Sequence, residues 1–480
     1  MLQTKTIGKG KIQSDPRLFI NIIFCLFPLS FFLGNLFLNI NLVIFCGLGI
    51  YYLRSKILKV RLDFIIKVIF LFFCIIFLSS LISFIKVIYF EGLESVVVKP
   101  QNCNMGCYSP LERLLKSILL FRFYLLLIII YLLNQINILR FKYFFISGAF
   151  FSILLSLDLI FQHFFGFNIL GIKTHIEFRA SGFFGEELIA GGYLIRFGFF
   201  TILFIIFTFK DKNYTKFIST VIAICVLGMA IFFTGNRMPV ILFLLGLFII
   251  FFSHLKMKKI LLVSMLITSI LLSFTISSDE KYKIHLTNQY SSMVQAIKNT
   301  YVNQIDTELF GGTNYLRWGG PTGYLYTVRY ESEYRRLYLT AIDTWKFNKI
   351  FGNGLKSFRE TCGMLKGDNV SIIWEQFPNK VNRLCSSHPH NYYFEILTET
   401  GILGLAIIFL IASIFIVFVI RNFNLIKQQN INNFILLAAI LSLFLEVMPL
   451  RSTGSLFTTN NATYIILIGS IILSYKNLLK

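Results

Sequence analysis

The chain has 480 residues and is 56% hydrophobic, with 55 Phe and 14% charged residues. A soluble globular protein rarely combines these values, so the class to expect is a polytopic membrane protein. The net charge of +22 would suit a nucleic-acid binder, but its placement along the chain argues otherwise.

A bilayer core takes roughly 20 mostly apolar residues per helix, and the chain offers about twelve such stretches. In order they are Leu18 to Gly34, Leu36 to Leu53, Ile65 to Phe90, Leu114 to Leu133, Tyr143 to Phe165 and Leu188 to Phe209. Phe217 to Gly235, Met238 to Ser253, Ile260 to Ser277, Gly401 to Ile420, Phe434 to Leu450 and Thr463 to Tyr475 follow. The first two run almost together, so a count of eleven is the alternative. The fold class is therefore all-α, divided into an N-terminal membrane bundle (1–277), a large loop (278–390) and a C-terminal membrane segment (391–480), acting as one unit.

With the N-terminus inside, the inner segments and their flanks carry 21 Lys and Arg. The short outer segments hold only Lys99, Arg113, Lys173, Arg179, Arg237 and Arg451. This is the positive-inside bias, so the basic residues are mainly topogenic. Both termini are expected in the cytoplasm, with the large loop outside the inner membrane. No small-residue cleavage site follows the first span, which reads as a retained anchor.

Cys25, Cys46, Cys74 and Cys225 fall inside spans and read as apolar packing residues. Cys103, Cys107, Cys362 and Cys385 all lie in outer loops, as expected for one or two disulfides in an oxidising compartment. A four-Cys zinc site is the rival reading. The large loop, roughly Ser278 to Pro389, contains Trp318, Trp345 and Trp374. Tyr330, Tyr334, Leu337, Tyr338, Ala341 and Trp345 recur there at helical spacing, which predicts an amphipathic helix. Its aromatic face suits helix packing or the membrane interface, with sugar binding as the alternative. Gly352 and Gly354 mark a turn beyond it.

The stretch richest in chemistry runs from Ser386 to Gly404. His388 and His390 flank Pro389, and Asn391 is suited to cap a helix. Asn391, Glu395 and Glu399 recur every four residues, so a short helix would align them as a polar stripe at the outer membrane surface, ended by Gly401. A lone loop histidine is usually inert; two beside an amide and carboxylates suggest a general base, with a metal site as the weaker alternative.

Arg237, in Thr234-Gly-Asn-Arg-Met-Pro239, and Arg179, in Phe178-Arg-Ala-Ser-Gly-Phe183, lie outside against the topological bias. Arg237 falls near a helix N-terminus, where backbone dipoles favour anions; headgroup anchoring is the plainer reading of either residue. Within the spans, a central Arg costs about 2.5 to 3.5 kcal/mol to insert, so Arg122 and Arg196 need partners. Arg122 reads as structural, and Arg196 as either a phosphate contact or one half of an ion pair. Asp158, Glu446 and Lys86 lie nearer the outer ends, where they can snorkel.

Taken together, the Gly-Asn-Arg turn, the long loop with Arg336, the Gly352/Gly354 turn, His-Pro-His-Asn with Glu-Thr-Gly, and Pro449-Leu-Arg-Ser-Thr-Gly-Ser455 resemble the O-antigen ligase and polymerase family of bacterial envelope glycosyltransferases. Gly185-Glu-Glu187 departs from the family's frequent Asn-Pro-Asn, and Asn236 from the Ser that commonly precedes the arginine. The resemblance implies transfer of a glycan from a polyprenyl (undecaprenyl) diphosphate to an acceptor hydroxyl on the periplasmic side. It implies His390 as base with His388 as its neighbour, Asn391 and Glu399 orienting the site, and Arg179 and Arg237 clamping the diphosphate, with Arg196 next in line. No cofactor is expected, and arginines stand where a metal would neutralise the phosphates. The acceptor is lipid A–core for a ligase and another repeat unit for a polymerase. A flippase or transporter of the same lipid-linked glycans is the reading from another class.

Overall fold

A computed structural model describes residues 16–54, 62–99, 106–174, 176, 178–253, 257–278, 280, 283–284, 286–287, 315–318, 325–328, 333–365, 370–371, 383–426 and 430–476. Its helices are α1 (Pro16–Cys25), α2 (Phe27–Leu33), α3 (Asn35–Leu53), α4 (Phe64–Glu91), α5 (Pro110–Leu119), α6 (Phe121–Gln135), α7 (Phe141–Phe165), α8 (Ala190–Thr208) and α9 (Asn213–Phe233). Then come α10 (Arg237–Ser253), α11 (Lys258–Ser278), α12 (Glu333–Trp345), α13 (Phe358–Thr361), α14 (Tyr392–Arg421), α15 (Phe423–Ile426), α16 (Ile431–Glu446) and α17 (Thr459–Lys476). Among the described residues, eight helices are long and apolar enough to cross a membrane, with α5 and α6 counted together, and α10 and α16 are shorter apolar helices. The architecture is that of an all-α polytopic membrane protein.

Local sequence explains the breaks. The first predicted span is two helices, because Pro28, at the start of α2, has no N–H to continue α1. The Leu114 to Leu133 span begins earlier than expected. Ser109 accepts from the Glu112 N–H while Glu112 caps Ser109 in return, and Pro110 sits at the first helical position, so α5 starts at a capping box.

The large loop is not purely helical. It adds strands β1 (Tyr315–Trp318) and β2 (Leu325–Val328), paired antiparallel, and β3 (Val370–Ser371) and β4 (Arg383–Leu384), paired parallel. The amphipathic helix expected there is α12; Tyr330 and Trp374 lie outside the described residues.

The helix α8 is the hub. Its most apolar window is 78% buried, against 6% for α14, which therefore stands at the bundle edge. It packs against α7, α9 and α16, while α17 lies along α6 and α14 along α4. A helix apolar on all sides belongs inside a bundle, and Arg196 is the one charged residue of α8. Phe197 shows how the phenylalanines fill that interior: its ring meets those of Phe31, Phe144, Tyr193, Phe200 and Tyr464. In lipid, where apolar burial drives nothing by itself, such close packing holds helices together.

Candidate functional site

The geometry of the site starts from a kink. At Gly401 (φ 66°) the backbone of α14 leaves helical geometry, splitting a short outer segment from the span that follows. The kink frees backbone groups that must find partners. The turn after α12 supplies them: the N–H groups of Asn353 and Gly354 donate to the carbonyls of Thr398 and Glu399 (2.9 and 3.0 Å), and Ile402 N–H donates to Lys349 O (2.9 Å). Gly352 (φ 74°) makes this approach possible, since a Cβ there would lie 2.4 Å from the Glu399 carbonyl carbon, and one on Gly401 would lie 2.2 Å from Ile350 O. Ser79 and Ser80 of α4 complete the seat, their hydroxyls accepting from Gly354 and Leu355 N–H (3.1 Å each).

On this seat rest the histidines. Asn391 caps the outer segment of α14 by accepting from Tyr393 and Phe394 N–H (3.0 and 3.3 Å), and its amide donates to Pro449 O (2.7 Å). His390, immediately before the cap, takes the left-handed conformation (φ 56°), uncommon outside glycine although histidine adopts it more readily than most. Its carbonyl is held by Thr453 N–H at 2.9 Å. The His388 and His390 rings lie 4.1 Å apart, with Tyr334 of α12 edge-on to His390 at 6.3 Å. Ser386 Oγ is 3.4 Å from His390 Nε2, and Ser387 Oγ is 2.9 Å from His388 Nδ1. The His388 Nε2 is buried without a hydrogen-bond partner among the described residues. Burial, with His390, Lys356 and Arg359 close by, lowers the His388 pKa from 6.5 to about 3, so its ring is neutral.

The polar stripe faces into the protein. Asn391, Glu395 and Glu399 are all buried, because they face the turn at Lys356 and the outer turn 449–456. Glu395 accepts from Ser455 Oγ and from Leu456 N–H (2.6 Å), and Lys356 Nζ, which donates to Ser455 Oγ, lies 3.8 Å from its carboxylate. Glu399 accepts from Lys356 N–H at 2.7 Å, leaving Oε1 buried with no partner among the described residues.

The arginines divide. Arg196 is held in a fork: Nε and Nη2 donate to the two oxygens of Glu446 (3.0 and 2.6 Å), Nη2 also reaches Asn461 (2.7 Å), and Nη1 reaches Asn460. The Tyr464 ring lies 4.5 Å from the guanidinium. Glu446 therefore does not snorkel; it is fully buried and also accepts from Arg451 Nη1 (2.6 Å) and Tyr392 Oη (2.9 Å). Asp158 is buried too, accepting from Ile169 N–H at 2.9 Å, and Lys86 donates to Asn348 at 2.6 Å. Arg122 donates to Thr459 at 3.1 Å. Arg179 lies over the Gly235 turn, where an added Cβ would meet its Cγ at 2.7 Å; Arg237, exposed at the start of α10, follows two residues on.

One turn links the two groups. Residues 446–456 touch Asn391, Tyr392, His390, Glu395 and Lys356 on one side and Arg196 on the other. Sequence reasoning passed over Lys356, Glu446, Tyr392 and Arg451 as site residues. An outer Arg and an acid at the end of an apolar span were the available signals for two of them. The Cys362–Cys385 disulfide anchors the loop beneath α12, with a Cα–Cα distance of 5.6 Å. Cys107 is also disulfide-bonded, while Cys103 lies outside the described residues.

A polytopic membrane bundle that holds a histidine pair at the capped start of α14 is the class these features define. A model of the O-antigen ligase family matches residues 221–409, from α9 through the loop into α14, in agreement with the resemblance drawn from the motifs. The match supports an enzyme of the O-antigen ligase and polymerase type, a glycosyltransferase-like activity on lipid-linked glycans at a membrane. No curated protein matches the chain.

Proposed function

We propose that the protein is an O-antigen ligase, transferring a glycan from an undecaprenyl diphosphate to lipid A–core on the periplasmic face of the inner membrane. The observation that carries this reading is the close pairing of His390, held at positive φ, with a half-buried, neutral His388, their rings 4.1 Å apart inside the family-matched region. A sugar hydroxyl is a weak nucleophile until a base takes its proton, and a base works best with a pKa near the working pH. His388, held near 3, is a poor base, which favours His390 in that role and His388 as its neighbour. Asn391 fixes where His390 stands by capping the helix behind it, and Glu399 holds the Lys356 turn.

The leaving diphosphate gathers negative charge, which Arg179 and Arg237 would clamp through charge-assisted hydrogen bonds without a metal. Arg196 has its fork filled by Glu446, so its part in donor binding is the electrostatic background rather than the first contact. The Cys362–Cys385 bond suits the oxidising side, with both termini opposite. The test is transfer by purified protein with lipid A–core offered beside a repeat-unit acceptor. Glycan on lipid A–core supports the ligase; elongated repeat units alone would make the enzyme a polymerase; movement of the lipid-linked glycan without transfer would make it a transporter.

A further inference from the structure

Two guanidinium groups share one carboxylate at the outer end of the bundle. Among the described residues, Glu446 is the one carboxylate in contact with Arg196 or Arg451. The remaining partners of Arg196 are neutral, namely Asn460, Asn461 and the Tyr464 ring. The side chains of Arg196 and Arg451 are 10% and 11% exposed, so a whole positive charge is left nearly enclosed without a counter-ion. An uncompensated buried charge is strongly unfavourable, and an arriving anion relieves it.

We propose that Arg451 binds a phosphate group of the lipid-diphosphate donor, beside the Arg179 and Arg237 clamp, an inference that rests on the glycosyl-transfer reading above. Arg451 engages Glu446 through Nη1 alone. Its Nη2, which makes no hydrogen bond among the described residues, stands 3.8 Å from where a Cβ on Gly192 would be, at the first turn of α8. Ala190, Gly191 and Gly192 leave that turn nearly bare. Ile189 provides no side-chain cap to it, so backbone N–H groups add to the positive field. On its other side, Gly191 packs against Thr234, in the turn over which Arg179 lies, and against Pro239 at the start of α10. The first turn of α8 thus joins Arg451 to the clamp, and Glu446 keeps Arg451 in place while the guanidinium's other edge meets the phosphate.

The experiment measures ligand-induced thermal stabilisation of the purified full-length protein in detergent, with inorganic pyrophosphate, farnesyl diphosphate and phosphatidylglycerol as separate probes. The wild type is stabilised by both diphosphates. Arg451→Gln shifts the concentration needed by at least about tenfold, the size expected for one charged hydrogen bond. Lys99→Gln, whose exposed amine pairs with Glu112, leaves the response unchanged. Arg451→Lys covers the case in which the Gln variant does not fold. It keeps the charge beside Glu446 and the ligand-free midpoint but loses the fork, so the diphosphate response still weakens. An unaltered diphosphate response in a folded Arg451 variant overturns the proposal, as does a loss confined to phosphatidylglycerol, which would make Arg451 a headgroup anchor. A wild type that answers to neither diphosphate removes the glycosyl-transfer reading as well.

Discussion

His388 and His390 are separated by one proline yet meet different surroundings. The pKa of His388 falls from 6.5 to about 3, chiefly through burial. Between those values an unfolded loop binds a proton at His388 that the folded loop refuses, so stability is complete above about pH 6.5 and declines as pH falls through that window. Thermal midpoints measured from about pH 7 down to about pH 5 will therefore fall less steeply for His388→Gln than for the wild type. Parallel slopes would mean the ring is solvated. The clamp is tested at the same scale. Arg237→Ala and Arg179→Ala raise the donor concentration needed for transfer more than the acceptor concentration, and Arg237→Lys recovers little, because Lys keeps the charge but not the fork. Unchanged donor dependence in both Ala variants would place the clamp elsewhere.

At the scale of elements, much of this site was legible. Asn391 read as a cap and Gly401 as a helix end, and both hold because capping and positive φ are local chemistry. The partner of Gly401 was not legible. Nothing local tells that the turn at Gly352 presses its backbone on Glu399, or that the polar stripe turns inward to meet it. Ala at Gly352 or Gly401 must bear a left-handed backbone worth about 1–3 kcal/mol and a clash besides. Either substitution will raise hydrogen exchange in residues 349–357 and cut transfer. Protection equal to wild type would show that the seat tolerates a side chain. The Cys362–Cys385 bond spans 23 residues, for which closure entropy gives about 3 kcal/mol. Cys385→Ser will destabilise the loop by that order while leaving the span helices inserted, as limited proteolysis can read.

At the scale of the whole molecule, apolar run length found the helices, whereas the charges inside them depended on tertiary pairing. Arg196 needed a partner on any reading, but that it is Glu446, far along the chain, emerges only when α8 and α16 pack. The break before Pro28 and the separate α5 show why one apolar stretch need not be one helix. The charge bias predicts cytoplasmic termini and a periplasmic 278–390 loop. Reporter fusions at residue 480 and within 288–314 will report opposite sides, and a cytoplasmic signal from the loop would overturn the assignment.

The most direct measurement is glycan transfer in liposomes holding wild type or His390→Ala, with a polyprenyl-diphosphate-linked glycan as donor and lipid A–core as acceptor. The wild type links glycan to the acceptor. His390→Ala, inserted and binding donor normally, is slower by about 10²- to 10⁴-fold, the contribution of a general base. His388→Ala loses less. Near-normal transfer by a folded variant lacking both histidines would contradict the account.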